Sequence, residues 1–434
     1  MEVASVPAKP PAAVLPAEYE LDDIRSLPQD MGAYSSSLAT GGLTPACQAS
    51  MAAEFRSRYF SPWSNATPLA DPATMVNAMG KQLGQKWYGE NRLKVPDATL
   101  KALRENCDLG RLPSLNRRAI STVATNMRIL PTARPFFKQP DGFPFDMLQQ
   151  SGVKLNEPLR VLHVSRNGVW LFVESPAASG WVEAREVAYL DEAMALKRMG
   201  REQLVIVGES VPLRDTTGSF VRIAKVGTIL PLEREDDDGY EITLAARTEP
   251  SGVMQELRAR VLKSVAARHP LPFTGERIST IGNQLLGTPY GWGELYDDRD
   301  CSALLRDFFL TFGIWLGRGS YDQGNGGATL SLAGKSIEEK TRILLKSGVP
   351  FLTLVYMKGH IMLYVGNREG TPLVFQDLWG VTVRDREGKE KKQIVGKAVI
   401  TTLTPGRELG LVSGPLLAKV SRIRILTDSC GSPR

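Results

Sequence analysis

The chain has 434 residues, 42% hydrophobic and 23% charged, with a formal net charge of +6. That length suggests two to four soluble domains with sizeable cores. The composition excludes a disordered chain. No run reaches the ~20 apolar residues of a membrane span, and the basic residues are too dispersed to mark a nucleic-acid binder. Mild basicity is compatible with an anionic polymer as partner. The four cysteines, Cys47, Cys107, Cys301 and Cys430, are too few and too scattered for a zinc site or a disulfide framework. A Cys47–Cys107 bridge is the one pairing to consider if the protein is exported, with unpaired thiols as the alternative.

Residues 1–42 read as a flexible, Pro/Ala-rich N-terminus without a signal-peptide core, of the kind that follows a removed leader or an anchor. A helical segment is expected over 43–121. Apolar residues recur at three-and-four spacing from Ala49 to Tyr59, Met75 to Trp87 and Asp97 to Glu105. Pro62 breaks the first of these helices. This segment is expected to pack against other domains. Short strands follow over 122–194. Arg166-Asn-Gly168 between two apolar runs is a hairpin cue, and the strand rhythm predicts a small β-barrel. A second barrel of similar size is expected over 195–255. The acidic run from Glu233 to Asp238 lacks calcium-loop spacing and reads as solvated loop. A linker helix is expected over 256–272, ending at His269-Pro-Leu-Pro272.

The last domain, 273–434, places helices before antiparallel strands, which argues for an α+β fold. The Glu276–Leu286 helix leads into the Gly-rich stretch from Gly287 to Asp300, and an apolar helix starts at Ser302. Asp300 is placed to cap that helix and Cys301 to sit in its first turn, where the helix dipole favours a thiolate. A cysteine nucleophile needs a base. His360 is the only histidine C-terminal to Cys301, and it opens an apolar strand. His163, in mid-hairpin, and His269, in a Pro-rich linker, compete poorly. Gln376 ends the neighbouring strand and is the candidate to orient the imidazole, with Asp377 as the alternative. Strand alternation points the two to opposite faces, so only one can serve. Tyr290 and Trp292 near the thiol suit a closed pocket, although core packing explains them as well.

Gly287-x-Pro-Tyr-x-Trp-Gly, Asp300-Cys301-Ser302 and Gly359-His360 together resemble the NlpC-type family of papain-like cysteine peptidases. Upstream, Tyr59-Phe-Ser-Pro-Trp63, Arg128-Ile-Leu-Pro-Thr132 and the stretch Phe143–Gln149 are similar to the subgroup that carries a helical stabilising segment and two bacterial SH3-like barrels. The resemblance covers roughly 45–415. It implies a γ-D-glutamyl-L-diamino acid endopeptidase acting on peptidoglycan stem peptides in the cell envelope, without a cofactor or metal. In that family Cys301 would be the nucleophile, His360 the base and Gln376 the stand-in for a second histidine. Asp300 and Ser302 match positions that bind a free N-terminal amine. Tyr290, Trp292, Arg318 and Ser320 match the substrate-binding surroundings. Leu316-Gly-Arg-Gly-Ser320-x-x-Gln323 departs from the family pattern at Gly317 and Gly319, and the second change removes a carboxylate. Asp146 and Gln149 lie in a first-barrel loop that is expected to face the site. Two other readings stand beside this one: a non-catalytic wall-binding protein, and an acyltransferase or amidase on the same scaffold.

Overall fold

The computed structural model describes residues 20–36, 38, 43–68, 71–384, 390–411 and 414–427. The expected linker over residues 1–19 and the cysteine at 430 lie outside them. Three antiparallel sheets account for most of the chain. The first, from Arg117 to Tyr189, and the second, from Gln203 to Arg268, each have seven strands among the described residues. The third runs from Thr329 to Ile425. In it, strands 329–331, 420–425, 353–357, 360–368, 371–384 and 390–402 lie side by side in that order.

The N-terminal helices join these parts. Thr44 caps the helix Pro45–Tyr59 by accepting the Cys47 amide. The helix ends at Tyr59, and a short turn, Ser61–Ser64, restarts with Pro62 near its beginning. Phe55, Tyr59, Phe60 and Trp63 lie in one apolar core with Val205 and Val207 of the second sheet and with Phe308 and Phe309 of the C-terminal domain. Trp63 also donates its indole N–H to Ala119 of the first sheet at 2.7 Å. Helices Pro72–Leu83 and Asp97–Cys107 close a second core on Phe172 and Trp181.

Three expectations change. Residues 256–262 are strand, not helix. Met254–Leu262 pairs residue by residue with Gly239–Arg247. Ala259 and Val261 point inward while Arg258 and Arg260 point out. The segment is rich in good helix formers, but the buried neighbouring strand overrides that propensity. Arg260 and Lys263 from this region pair with Asp236 and Glu235, so the acidic run is partly neutralised across the hairpin. Residues 20–36 are ordered against the C-terminal domain. Gln29 makes two 2.9 Å hydrogen bonds to the backbone of Ile400, and Asp23 accepts from Thr402. These contacts cover the edge strand of the third sheet. Finally, Cys107 is free and buried while Cys47 is disulfide-bonded, so the two are not paired with each other.

Met31 is fully buried, and a β-carbon on Gly282 would lie 2.3 Å from its Cγ. The helix Gly275–Leu285 therefore needs glycine there to admit the N-terminal segment. Met31→Ala is expected to lower the free energy of unfolding by roughly 2–4 kcal/mol in a urea titration, because the pocket cannot collapse around the cavity.

Candidate active site

Asp300 caps the helix Cys301–Leu310, its Oδ1 accepting the amides of Ser302 at 3.1 Å and Ala303 at 2.9 Å. Cys301 is the first helical residue, with only 7% of its surface exposed. Every residue of this helix is buried, including Arg306 and Asp307. Those charges survive burial only because partners from three parts of the chain meet them. Asp307 Oδ2 receives Lys154 of the first barrel at 2.6 Å and Arg299 at 2.7 Å. Arg299 also holds Glu209 of the second barrel through both terminal nitrogens, at 2.9 and 3.2 Å. Arg306 pairs with Glu294, which in turn accepts from Ser151 and the Gly152 amide of the first barrel. The surrounding cations hold Asp307 well below the usual carboxylate range even though burial opposes ionisation.

Gly293, Glu294, Tyr296 and Asp297 all have positive φ in the loop before the nucleophile. The strain is stored where first-barrel contacts fix the loop. Trp292 donates to the carbonyl of Asp146 at 3.0 Å, and Gln149 donates to the carbonyl of Gly293 at 3.0 Å. Both first-barrel residues thus reach the loop. Arg128 holds their side chains, at 2.5 Å to Asp146 and 2.9 Å to Gln149. The residue that enters the cleft is their neighbour Phe145, which packs edge-on against Trp292 at 5.1 Å and Trp379 at 5.8 Å. Phe145, Tyr290, Trp292, Cys301, His360 and Trp379 line one cleft of about 280 Å³.

His360 opens its strand at the mouth of this cleft. Its Nε2 lies 2.7 Å from Oε1 of Gln376. Gln376 is fully buried, and its amide nitrogen donates to Oγ1 of Thr401 at 2.7 Å, whose hydroxyl in turn donates to the carbonyl of Thr402. That relay fixes the amide orientation, so Oε1 faces the ring and Nε2 of His360 carries the proton. Nδ1 is left as the basic nitrogen. Of the two orienters considered, Gln376 is the one in contact. Asp377 sits on the same strand, lines the cleft and hydrogen-bonds to nothing among the described residues. The other histidines have structural partners: His163 meets Ser114 and the Cys107 carbonyl, and His269 meets the Leu310 carbonyl.

The electrostatics reverse one expectation. Against the thiolate expected at a helix start, burial pushes the Cys301 thiol up to about 12, and the Asp300 charge adds to it, with the amide of Ile361 opposing. Burial also lowers His360, with the Gln376 contact opposing it. Burial thus disfavours charge on both groups. Among the described residues no hydrogen bond joins them, although they share the cleft.

Asp300 is also not an open acceptor for an amine. Arg318 reaches its two oxygens at 3.2 and 2.9 Å, Ser302 Oγ donates to it at 2.9 Å, and the Gly293 amide adds a further bond. Capping the helix and neutralising a buried arginine use all its acceptor sites. Arg318 itself lies behind the cleft between Asp300 and Glu294. Ser320 begins the short helix Ser320–Asn325, away from the cleft walls. The carboxylate absent at Gly319 has a neighbour in its place. Oδ2 of Asp322 lies 3.2 Å from where a Gly319 β-carbon would stand.

Residues 287–383 match the NlpC/P60 family, and residues 2–111 match its N-terminal stabilising domain. Residues 135–183 and 191–237 match SH3 domains of the SH3b1 and SH3b2 types. The chain carries an NlpC/P60 domain, with that family's stabilising domain and two SH3-type domains upstream of it. An NlpC/P60 endopeptidase from Photobacterium damselae subsp. piscicida shares its fold, with a TM-score of 0.82 at 23% identity over 93% of this chain and 98% of that one. An NlpC/P60 family protein from Bacillus cereus ATCC 10987 aligns with a TM-score of 0.48 at 16% identity, over 71% of this chain and 99% of that one. A search of the curated proteins finds no match. Within the C-terminal domain, Glu294, Trp379 and Thr401 are site residues that sequence reasoning missed. Thr401 sits in a β-run like any other, and Glu294 gains its role only through a strained loop.

Thr401 is therefore expected to act as a positioning residue. Thr401→Val should lower the rate of Cys301 alkylation by iodoacetamide ~3- to 10-fold, because Gln376 loses the bond that orients it. Thr401→Ser should restore the rate, and thermal unfolding of both variants checks that the fold is kept.

Proposed function

We propose that this NlpC/P60 protein is a cysteine endopeptidase that cuts the bond between γ-D-glutamate and a diamino acid in peptidoglycan stem peptides. The observation that carries the reading is the single cleft shared by Cys301 and His360, with the imidazole held through Gln376 and Thr401. The thiol and imidazole rest neutral, so the thiol proton passes to Nδ1 of His360 as sulfur attacks the γ-carbonyl. The imidazolium then gives that proton to the leaving amine, and an acyl-enzyme remains. Water attacks next, His360 takes its proton, and the thiol is regenerated.

The amides of Ser302 and Ala303 are occupied by Asp300, which leaves the Cys301 amide for the developing oxyanion. Tyr290 lines the same cleft, and burial raises its pKa further, so a neutral phenol is available as a second donor. Aromatic walls from Phe145, Trp292 and Trp379 fit a short peptide rather than a folded chain. The proposed place of action is the cell envelope. No helix among the described residues is long and apolar enough to cross a membrane.

Incubation with L-Ala-γ-D-Glu-diaminopimelate is expected to release the dipeptide L-Ala-D-Glu, and Cys301→Ala to abolish it. No cleavage by the wild type would sink the reading. The pH profile gives a second check. Below its pKa the imidazole is protonated and cannot accept the thiol proton, so kcat/KM should fall as pH drops through that pKa. Burial lowers it from 6.5, so the acid limb should have its midpoint below 6.5.

A further inference from the structure

Asp377 is the one cleft carboxyl that the mechanism does not use. It follows Gln376 on the Thr371–Arg384 strand, is fully buried, and neither carboxyl oxygen has a hydrogen-bond partner among the described residues. Buried carboxyls with only a packing role are almost always hydrogen-bonded, and a leucine would cost less there. The buried cations nearby are already matched. Arg299 is held by Glu209 and Asp307, Arg318 by Asp300 and Glu294, and Arg306 by Glu294. Burial, then the negative charge of Asp300, raises the Asp377 pKa well above its ordinary value, and Arg299 opposes them only in part. The other titratable groups around it are Asp298, Tyr290 and Cys301, with His360 on the same cleft. Lys392 and Lys419 border the cleft as well. Tyr290, Trp379 and Phe145 present aromatic rings around the same space. An unmatched carboxyl among aromatic rings is the chemistry that receives an organic cation.

We propose that Asp377 is the acceptor for a primary ammonium group of the substrate, a role that Asp300 cannot fill because Arg318 already occupies it. This rests on the peptidase reading and deepens it. The ammonium has two possible sources in a stem peptide: the side chain of the diamino acid, or the α-amine of the first residue. In either case the neutral carboxyl gives its proton to solvent as the ammonium docks, and the ion pair that remains is neutral overall.

Calorimetry on Cys301→Ala protein tests this in two buffers of different ionisation enthalpy. The ligands are L-Ala-γ-D-Glu-L-Lys and its forms acetylated at the α-amine or at the lysine side chain. The free peptide is expected to release about one proton on binding near pH 7. One of the two acetylations should abolish that release and weaken binding ~10- to 100-fold, which identifies the source. Adding Asp377→Asn should have the same two effects on the free peptide and on the insensitive acetylated form, and leave the sensitive form, which already lacks the ammonium, unchanged. The acetylated pair carries the test even if the Asn variant fails to fold. Equal binding and equal proton release for all three peptides, or proton release that persists in Asp377→Asn, overturns the proposal. If the wild type still cleaves the free peptide in that case, the peptidase reading stands. If none of the peptides binds or is cleaved, both fall.

Discussion

The pairing of Arg299 with Glu209 and Asp307 is the interaction on which the site depends. A guanidinium fully removed from water is tolerated only when charge and geometry are both satisfied. Here one carboxylate comes from the second barrel and the other from the Cys301 helix. Arg306 and Arg318 extend the pattern through Glu294 to the first barrel. The position of Cys301 is thus fixed by the relative placement of all three sheets. Hydrophobic packing of Phe55 to Trp63 brings the parts together, and the ion network specifies the register in which they meet.

A second constraint is the dielectric of the cleft. A thiol at a helix start is usually described as acidified by the helix dipole. In this protein the same position is buried, flanked by Asp300 and close to Asp377, and all three push the thiol pKa up. The His360 imidazole is pushed toward its neutral form by the same burial. In the proposed mechanism, Cys301 and His360 therefore exchange a proton during attack, not before it. The Gln376–Thr401 relay matters in this setting because a neutral amide orients the imidazole without adding a charge.

Much of this was legible in the sequence. Asp300-Cys301 ahead of an apolar helix, and Gly359-His360 ahead of an apolar strand, carry local signals that survive folding. The Glu369-Gly370 turn, with both residues at positive φ, joins the His360 and Gln376 strands as neighbours. What was hidden depends on long-range partners. Met254–Leu262 has helix-forming residues and becomes strand because Gly239–Arg247 lies beside it. Asp300 and Arg318 are eighteen positions apart, and no periodicity reveals that one neutralises the other. Residues 20–36 lack a strong pattern, yet Met31 fits a space left by Gly282.

The ion network also bears on how the chain is made. A ribosome delivers the chain from the N-terminus, and domains fold largely in that order. Lys154, Ser151 and Glu209 emerge well before Arg299, Arg306 and Arg318. When the C-terminal segment emerges, it meets a template whose carboxylates and hydroxyls are already in place. A C-terminal domain made alone would leave Arg299 without Glu209 and Asp307 without Lys154. The upstream barrels thus complete the charge pairing that lets the Cys301 helix be buried.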